Sequence, residues 1–183
     1  MLDGPNRIEF LISKEKLDGD IARLADRLRG NGAQRRAVVG VANGGIYPAG
    51  TVADRLGLPY REMHIRSYNG RTKITPEIVR PLDDAGEGDG LLIVDDVVDS
   101  GDTALLIRQT LPKAVLMVVY VKAEGLRKLA DFGHNLLFAE RFPQDFWIVF
   151  PWHQQDWAGE IPGSVARYRF RLGLDNSIPI TRQ

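Results

Sequence analysis

The residues able to do chemistry crowd into one segment, IVDDVVDSGDTA at positions 93–104. Four carboxylates, Asp95, Asp96, Asp99 and Asp102, follow one another within eight positions, directly after the apolar run LLIV. That run reads as a buried parallel strand, which puts Asp95 and Asp96 at its carboxyl end, where open α/β sheets bind ligands. Helix capping accounts for one or two residues of this kind. It does not account for an acid pair leaving a buried strand, where unpaired charge is costly. Adjacent carboxylates suit sugar hydroxyls and a magnesium ion, with Asp95 and Asp96 as the candidate ligands. Ser100, Gly101, Asp102 and Thr103 then open a helix, whose first N–H groups and dipole favour an anion. Gly101 lets the backbone approach a phosphate closely, and Ser100 and Thr103 offer hydroxyl donors. One end of the turn therefore calls for a phosphate, and the other for a cation and a sugar.

Other chemistries are excluded by what the chain lacks. No G-x-x-x-x-G-K-[ST] occurs, so a P-loop nucleotidase is not supported. The acidic turn does not alternate ligands and end in Glu as a calcium loop does. The glycines of GEGDG, 86–90, precede a strand and so make no dinucleotide fingerprint. With no cysteine, disulfides, thiolate zinc sites and thiol nucleophiles are absent, and His64, His134 and His153 show no local ligand spacing. Lys plus Arg and Asp plus Glu both number 24, a zero balance that argues against a nucleic-acid partner. At 44% apolar and 26% charged, the 183 residues suit one folded domain, 1–183. The opening MLDGPNRIEF lacks the apolar core of a secretory signal, and no apolar run spans a bilayer. A cytoplasmic protein is expected.

The elements that must position the acidic turn follow from periodicity. Leu17, Ile21, Leu24 and Leu28 mark one face of a helix that Ser13 could cap and Gly30 or Gly32 could end. Strands are predicted at 37–42, 60–65, 91–95 and 114–121, and helices from the Asn43-Gly44-Gly45 turn through Leu56, at 103–111 and at 126–132. Repeated strand, turn and helix imply an α/β fold with an open, mostly parallel sheet flanked by helices. Residues 67–89 read as a mobile loop or a two-stranded flap, since Asn69-Gly70 is a hairpin signal. Beyond it, Pro143, Pro151, Pro162 and three tryptophans read as loops packed around aromatic anchors. The basic RYRFR at 167–171 reads as a solvated or subunit-contacting strand.

The order of apolar strand, two acids, two apolar residues and Asp-Ser-Gly-x-Thr resembles the binding loop for 5-phosphoribosyl-1-pyrophosphate (PRPP) in type I phosphoribosyltransferases. GEGDGLLIVDD, Leu111-Pro112-Lys113-Ala114, FPQDFWIVFPW and Ser67-Tyr68 resemble the bacterial xanthine-guanine (6-oxopurine) branch, so the likeness spans roughly 38–152. The resemblance implies a type I phosphoribosyltransferase fold with a mobile loop near 67–89 and a base-binding hood near 134–160. It implies Mg2+-dependent transfer of phosphoribosyl from PRPP to guanine, xanthine or hypoxanthine, by a homo-oligomer.

Carried over by position, Asp95 and Asp96 hold the ribose hydroxyls, with Asp96 the better magnesium candidate. Asp99 is catalytic, exchanging a proton near N7 of the purine. Ser100, Gly101, Asp102 and Thr103 cradle the 5′-phosphate, while Asn43, Gly44 and either Arg71 or Lys73 meet the pyrophosphate. Lys122 binds the 6-oxo group, Trp147 stacks on the base, and the Ile148 backbone reads its edge. Packing is an equal alternative for Trp147, and Trp152 could likewise be a core anchor.

Two departures stand out. Ala42-Asn43-Gly44-Gly45 replaces the relatives' Ser-Arg-Gly-Gly, removing a bidentate phosphate partner. Asp102 takes the variable position of the cradle, where an inward carboxylate would repel phosphate; capping the helix and facing away is the expected solution. A nucleotide sensor on the same fold, or a transferase for a modified or non-purine base, are the alternative functions.

Overall fold

Runs of β-branched and aliphatic residues punctuated by glycine turns build a sheet whose inner strands are buried on both faces. The structure is a computed structural model and describes residues 8–30, 34–69, 72–154 and 161–174. In chain order the elements are β1 (Ile8–Leu11), α1 (Lys14–Gly30), β2 (Ala37–Ala42), α2 (Ile46–Leu56), β3 (Tyr60–Asn69), β4 (Thr72–Arg80) and β5 (Leu91–Val98). They continue with α3 (Asp102–Thr110), β6 (Val115–Lys122), α4 (Ala123–Lys128), β7 (Leu136–Phe142), β8 (Phe146–Val149) and α5 (Gly163–Arg171).

Six strands form one sheet in the order β4-β3-β2-β5-β6-β7. All its pairs are parallel except β3 with β4. The inner strands β5 and β6 carry long apolar runs, as burial on both faces requires. On one face the sheet packs against α1, α2 and α5; on the other it packs against α3. Ser13 caps α1 by accepting a hydrogen bond from the Lys16 N–H at 3.2 Å. Leu17, Ile21, Leu24 and Leu28 are buried on the face the periodicity marks.

Three expectations are corrected. The segment read as loops around aromatics contains two strands: β7 is the sheet's far edge, and β8 pairs in parallel with β1 in a separate two-stranded sheet. Both were obscured because β8 and β1 have four residues each and β7 is only half-buried, so neither burial nor alternation is marked. The helix expected at 126–132 begins earlier, as α4, and passes into a 3-10 segment, Ala130–Asn135. RYRFR belongs to helix α5, where Val165 and Arg169, four apart, face inward while Phe170 is exposed. Strand-like alternation of charge and aromatic residues hid that spacing.

Between the two readings of 67–89, the backbone favours the flap. β3 runs on to Asn69 and pairs antiparallel with β4, with Tyr68 opposite Lys73. Trp152 is a core anchor, stacked on Phe150 with ring centroids 4.8 Å apart.

Candidate active site

The parallel strands end together, and the register places β5 between β2 and β6. Asp95 and Asp96 lie three and two residues before the end of β5, after four buried aliphatic residues have carried the strand through the core. Asp95 accepts the Asp96 N–H at 3.0 Å, and Asp96 accepts the Val97 N–H at 2.6 Å. Burial pushes both carboxyls up, Asp95 further through repulsion from its neighbour, and Asp96 reaches about 6. A half-buried acid pair held in this way is short of positive charge.

The β2 turn reaches the same pair. A Cβ at Gly44 would fall on the Asp96 carboxylate, so the Asn43-Gly44 backbone is packed directly against it. The Ala42–Asn43 peptide bond is cis. Gly44, with Asn43 before it in the turn, therefore stands beside Asp96.

After β5 the chain turns through Asp99, Ser100 and Gly101 into α3. Gly101 has φ +84°, and a Cβ there would come 3.2 Å from both Gly125 and the Lys128 side chain. Both the dihedral and the space demand glycine. The Gly125 N–H donates to the Asp99 carbonyl at 2.9 Å, strapping α4 onto the turn. Thr103 shares a 3.0 Å hydrogen bond between hydroxyls with Ser67, which joins the foot of the β3 arm to the turn. Ser67, Asp95, Asp99, Asp102 and Gln144 are among the walls of a cleft of about 360 Å³ at this end of the sheet.

Asp99 is half-exposed, and its two oxygens meet different elements. Lys122, the last residue of β6 and almost fully buried, places Nζ 3.1 Å from Oδ2. Gln144 donates from Nε2 to Oδ1 at 2.6 Å and accepts the Glu124 N–H at 2.9 Å. The acid and the lysine, 23 positions apart in sequence, thus form one ion pair at the cleft. Asp102 does not cap α3: its carboxylate accepts from the Ser100 hydroxyl at 2.8 Å and meets Lys128 Nζ at 2.5 Å.

Trp147, half-buried, and Ile148, buried in the core, lie on β8 opposite Glu9 and Phe10. Lys73 lies on β4 opposite Tyr68. Arg71 falls outside the described residues. Gln144, bonded to Asp99, and Lys128, paired with Asp102, are contacts of the turn that sequence reasoning missed. Gln144 sits inside FPQDFWIVFPW, so that segment carried a signal. Lys128, as one basic residue in a helix, carried none.

Magnesium fits the residues present. Among the described residues no group of three or more His, Cys, Asp or Glu could cage a metal. Two adjacent carboxylates with a deficit of positive charge match an ion that takes one or two protein oxygens and leaves the rest to substrate and water.

The phosphoribosyl transferase domain family matches residues 13–147. Xanthine-guanine phosphoribosyltransferase of Gluconobacter oxydans is 36% identical over 144 residues, 77% of this chain and 82% of that protein. The enzyme of that name from Cereibacter sphaeroides is 36% identical over 154 residues, 81% of this chain and 89% of that protein. In three dimensions, the purine phosphoribosyltransferase of Pyrococcus horikoshii superposes with a TM-score of 0.65 at 24% identity, covering 83% of this chain and 99% of that one. The acidic turn, the sheet that carries it and the extent of these matches agree, and this chain belongs to the type I phosphoribosyltransferase family.

Proposed function

We propose that the protein transfers the 5-phosphoribosyl group of PRPP to a 6-oxopurine and releases pyrophosphate. The observation that carries this reading is the Asp99–Lys122 pair at the cleft, 3.1 Å apart and beside the helix N-terminus. It supplies an acceptor for a ring N–H and a donor for a ring carbonyl, side by side. A 6-oxopurine presents N7 and O6 in that order on one edge. Two relatives named as xanthine-guanine phosphoribosyltransferases support the same base class.

In the reaction the base N9 forms a bond to C1 of the ribose while the bond from C1 to the pyrophosphate oxygen breaks. Lys122 Nζ holds the 6-oxo oxygen, and Asp99 takes up the proton that the purine loses at N7. Asp95 and Asp96 receive the ribose hydroxyls and stabilise positive charge developing on the sugar. The N–H groups at the start of α3 and the Ser100 and Thr103 hydroxyls hold the 5′-phosphate. Asn43 and the Gly44 amide face the pyrophosphate, with Arg71 or Lys73 as its basic partner. Trp147 stacks on the base, and the Ile148 backbone reads its edge. Asp95 and Asp96 would hold the magnesium ion, which when bound neutralises charge on the departing pyrophosphate.

Asn43 in place of an arginine favours a second reading, a nucleotide sensor that needs no pyrophosphate stabilisation. Pyrophosphate release with PRPP and magnesium across a panel of purine and pyrimidine bases separates the two. Release with 6-oxopurines alone supports the transferase. Donor binding by calorimetry with no release for any base refutes it and leaves the sensor.

A further inference from the structure

Asp102 puts a negative charge inside the turn that the proposed reading assigns to a phosphate dianion. The structure supplies its partner from a different element. Lys128, at the end of α4, sets Nζ 2.5 Å from Asp102 Oδ1 while the Ser100 hydroxyl donates to Oδ2 at 2.8 Å. The placement is built into the backbone. Gly125 N–H on the Asp99 carbonyl anchors α4, and the missing Cβ of Gly101 lets the Lys128 side chain lie against the turn itself. We propose that Lys128 is a donor-binding residue: its ammonium offsets Asp102 and supplies the positive charge with which the loop holds the 5′-phosphate. The pair then works as a unit.

The inference rests on the acidic turn being the phosphate loop of the proposed transferase, and its test reads binding instead of turnover. Calorimetry compares guanosine 5′-monophosphate with guanosine, which lacks the phosphate. Lys128→Met weakens nucleotide binding by at least about tenfold, the scale of one unit charge near a protein surface, and leaves guanosine unchanged. Lys128→Arg, keeping the charge, retains nucleotide binding. Asp102→Asn added to Lys128→Met recovers most of the loss, because the loop then carries neither charge. Unchanged nucleotide binding in Lys128→Met, an equal loss for guanosine, or no recovery in the double variant overturns the proposal. A wild-type protein that binds nucleotide and nucleoside equally well overturns the phosphate-loop reading and the proposal together, an outcome distinct from the other three.

Discussion

Lys122→Met isolates the contribution of the buried ammonium at the cleft. Methionine keeps the length of the side chain and suits the site, since Lys122 is 5% exposed among apolar β6 neighbours. What is lost is one charged donor. A hydrogen bond to a charged group contributes about 1.5–3 kcal/mol, which corresponds to a fall of about 10- to 150-fold in kcat/KM for guanine at 1.36 kcal/mol per decade. The fold itself is expected to suffer little. The abandoned Asp99 carboxylate is half-exposed, still bonded to Gln144, and free to hydrate. An ion pair with one exposed member contributes up to about 1 kcal/mol, or about 2–4 °C in melting temperature for a chain of this size. The assay is steady-state pyrophosphate release with guanine, hypoxanthine and adenine, alongside a thermal melt. The expected signature is a selective loss for 6-oxopurines, so that discrimination against the 6-amino base narrows. An equal loss for all three bases, or unchanged turnover with guanine, refutes the assignment of Lys122 to the 6-oxo group.

Gly44→Ala forces a Cβ onto the Asp96 carboxylate, so turnover is expected to drop by about a hundredfold, the penalty for misplacing a site by an ångström; normal turnover would show that the turn yields at no cost. Asp96→Asn should raise the melting temperature of the ligand-free protein at pH 7.5, because the Asp96 carboxyl, pushed up to about 6, is ionised there at the expense of the fold. The sign follows from a native pKa above the unfolded one: the penalty applies fully above pH 6 and is relieved as pH falls through it, so the gain should shrink by pH 5. A gain independent of pH would contradict this origin. Arg169→Met leaves Glu62 buried without its 2.8 Å partner, which costs about 3–5 kcal/mol and should lower the melting temperature by roughly 10 °C. Burial favours the neutral Glu62, but His64, whose Nε2 lies 3.5 Å away, and the hydrogen bond from Arg169 outweigh it and hold the carboxyl below the usual glutamate value. Its contribution is therefore present at neutral pH and lost in acid as pH falls through that lowered value, so the wild-type and variant melts should converge there.

Sequence alone determined the parallel sheet, the acidic turn and the helix that the turn opens, because each is local. A buried strand announces itself by a run of aliphatic residues, a helix start by Ser, Gly and Thr, and an acid pair by adjacency. α1, β2, α2, β5, α3 and β6 were legible for this reason to within a few residues. The short β1 and β8 were not. Four residues hold too few alternations to signal a strand, and their pairing joins chain segments more than a hundred positions apart.

Tertiary structure decided which charges meet. Asp99 with Lys122, Asp102 with Lys128 and Glu62 with Arg169 are separated by 23, 26 and 107 positions, and no spacing rule relates them. Asp102 shows the difference most directly. Its sequence position implied a repulsive carboxylate turned away as a cap, whereas strapping α4 onto the turn gave that carboxylate a cation. The residue types of the site were readable along the chain, but their electrostatic balance depends on distances across space, and those exist only once the sheet has brought its strand ends together.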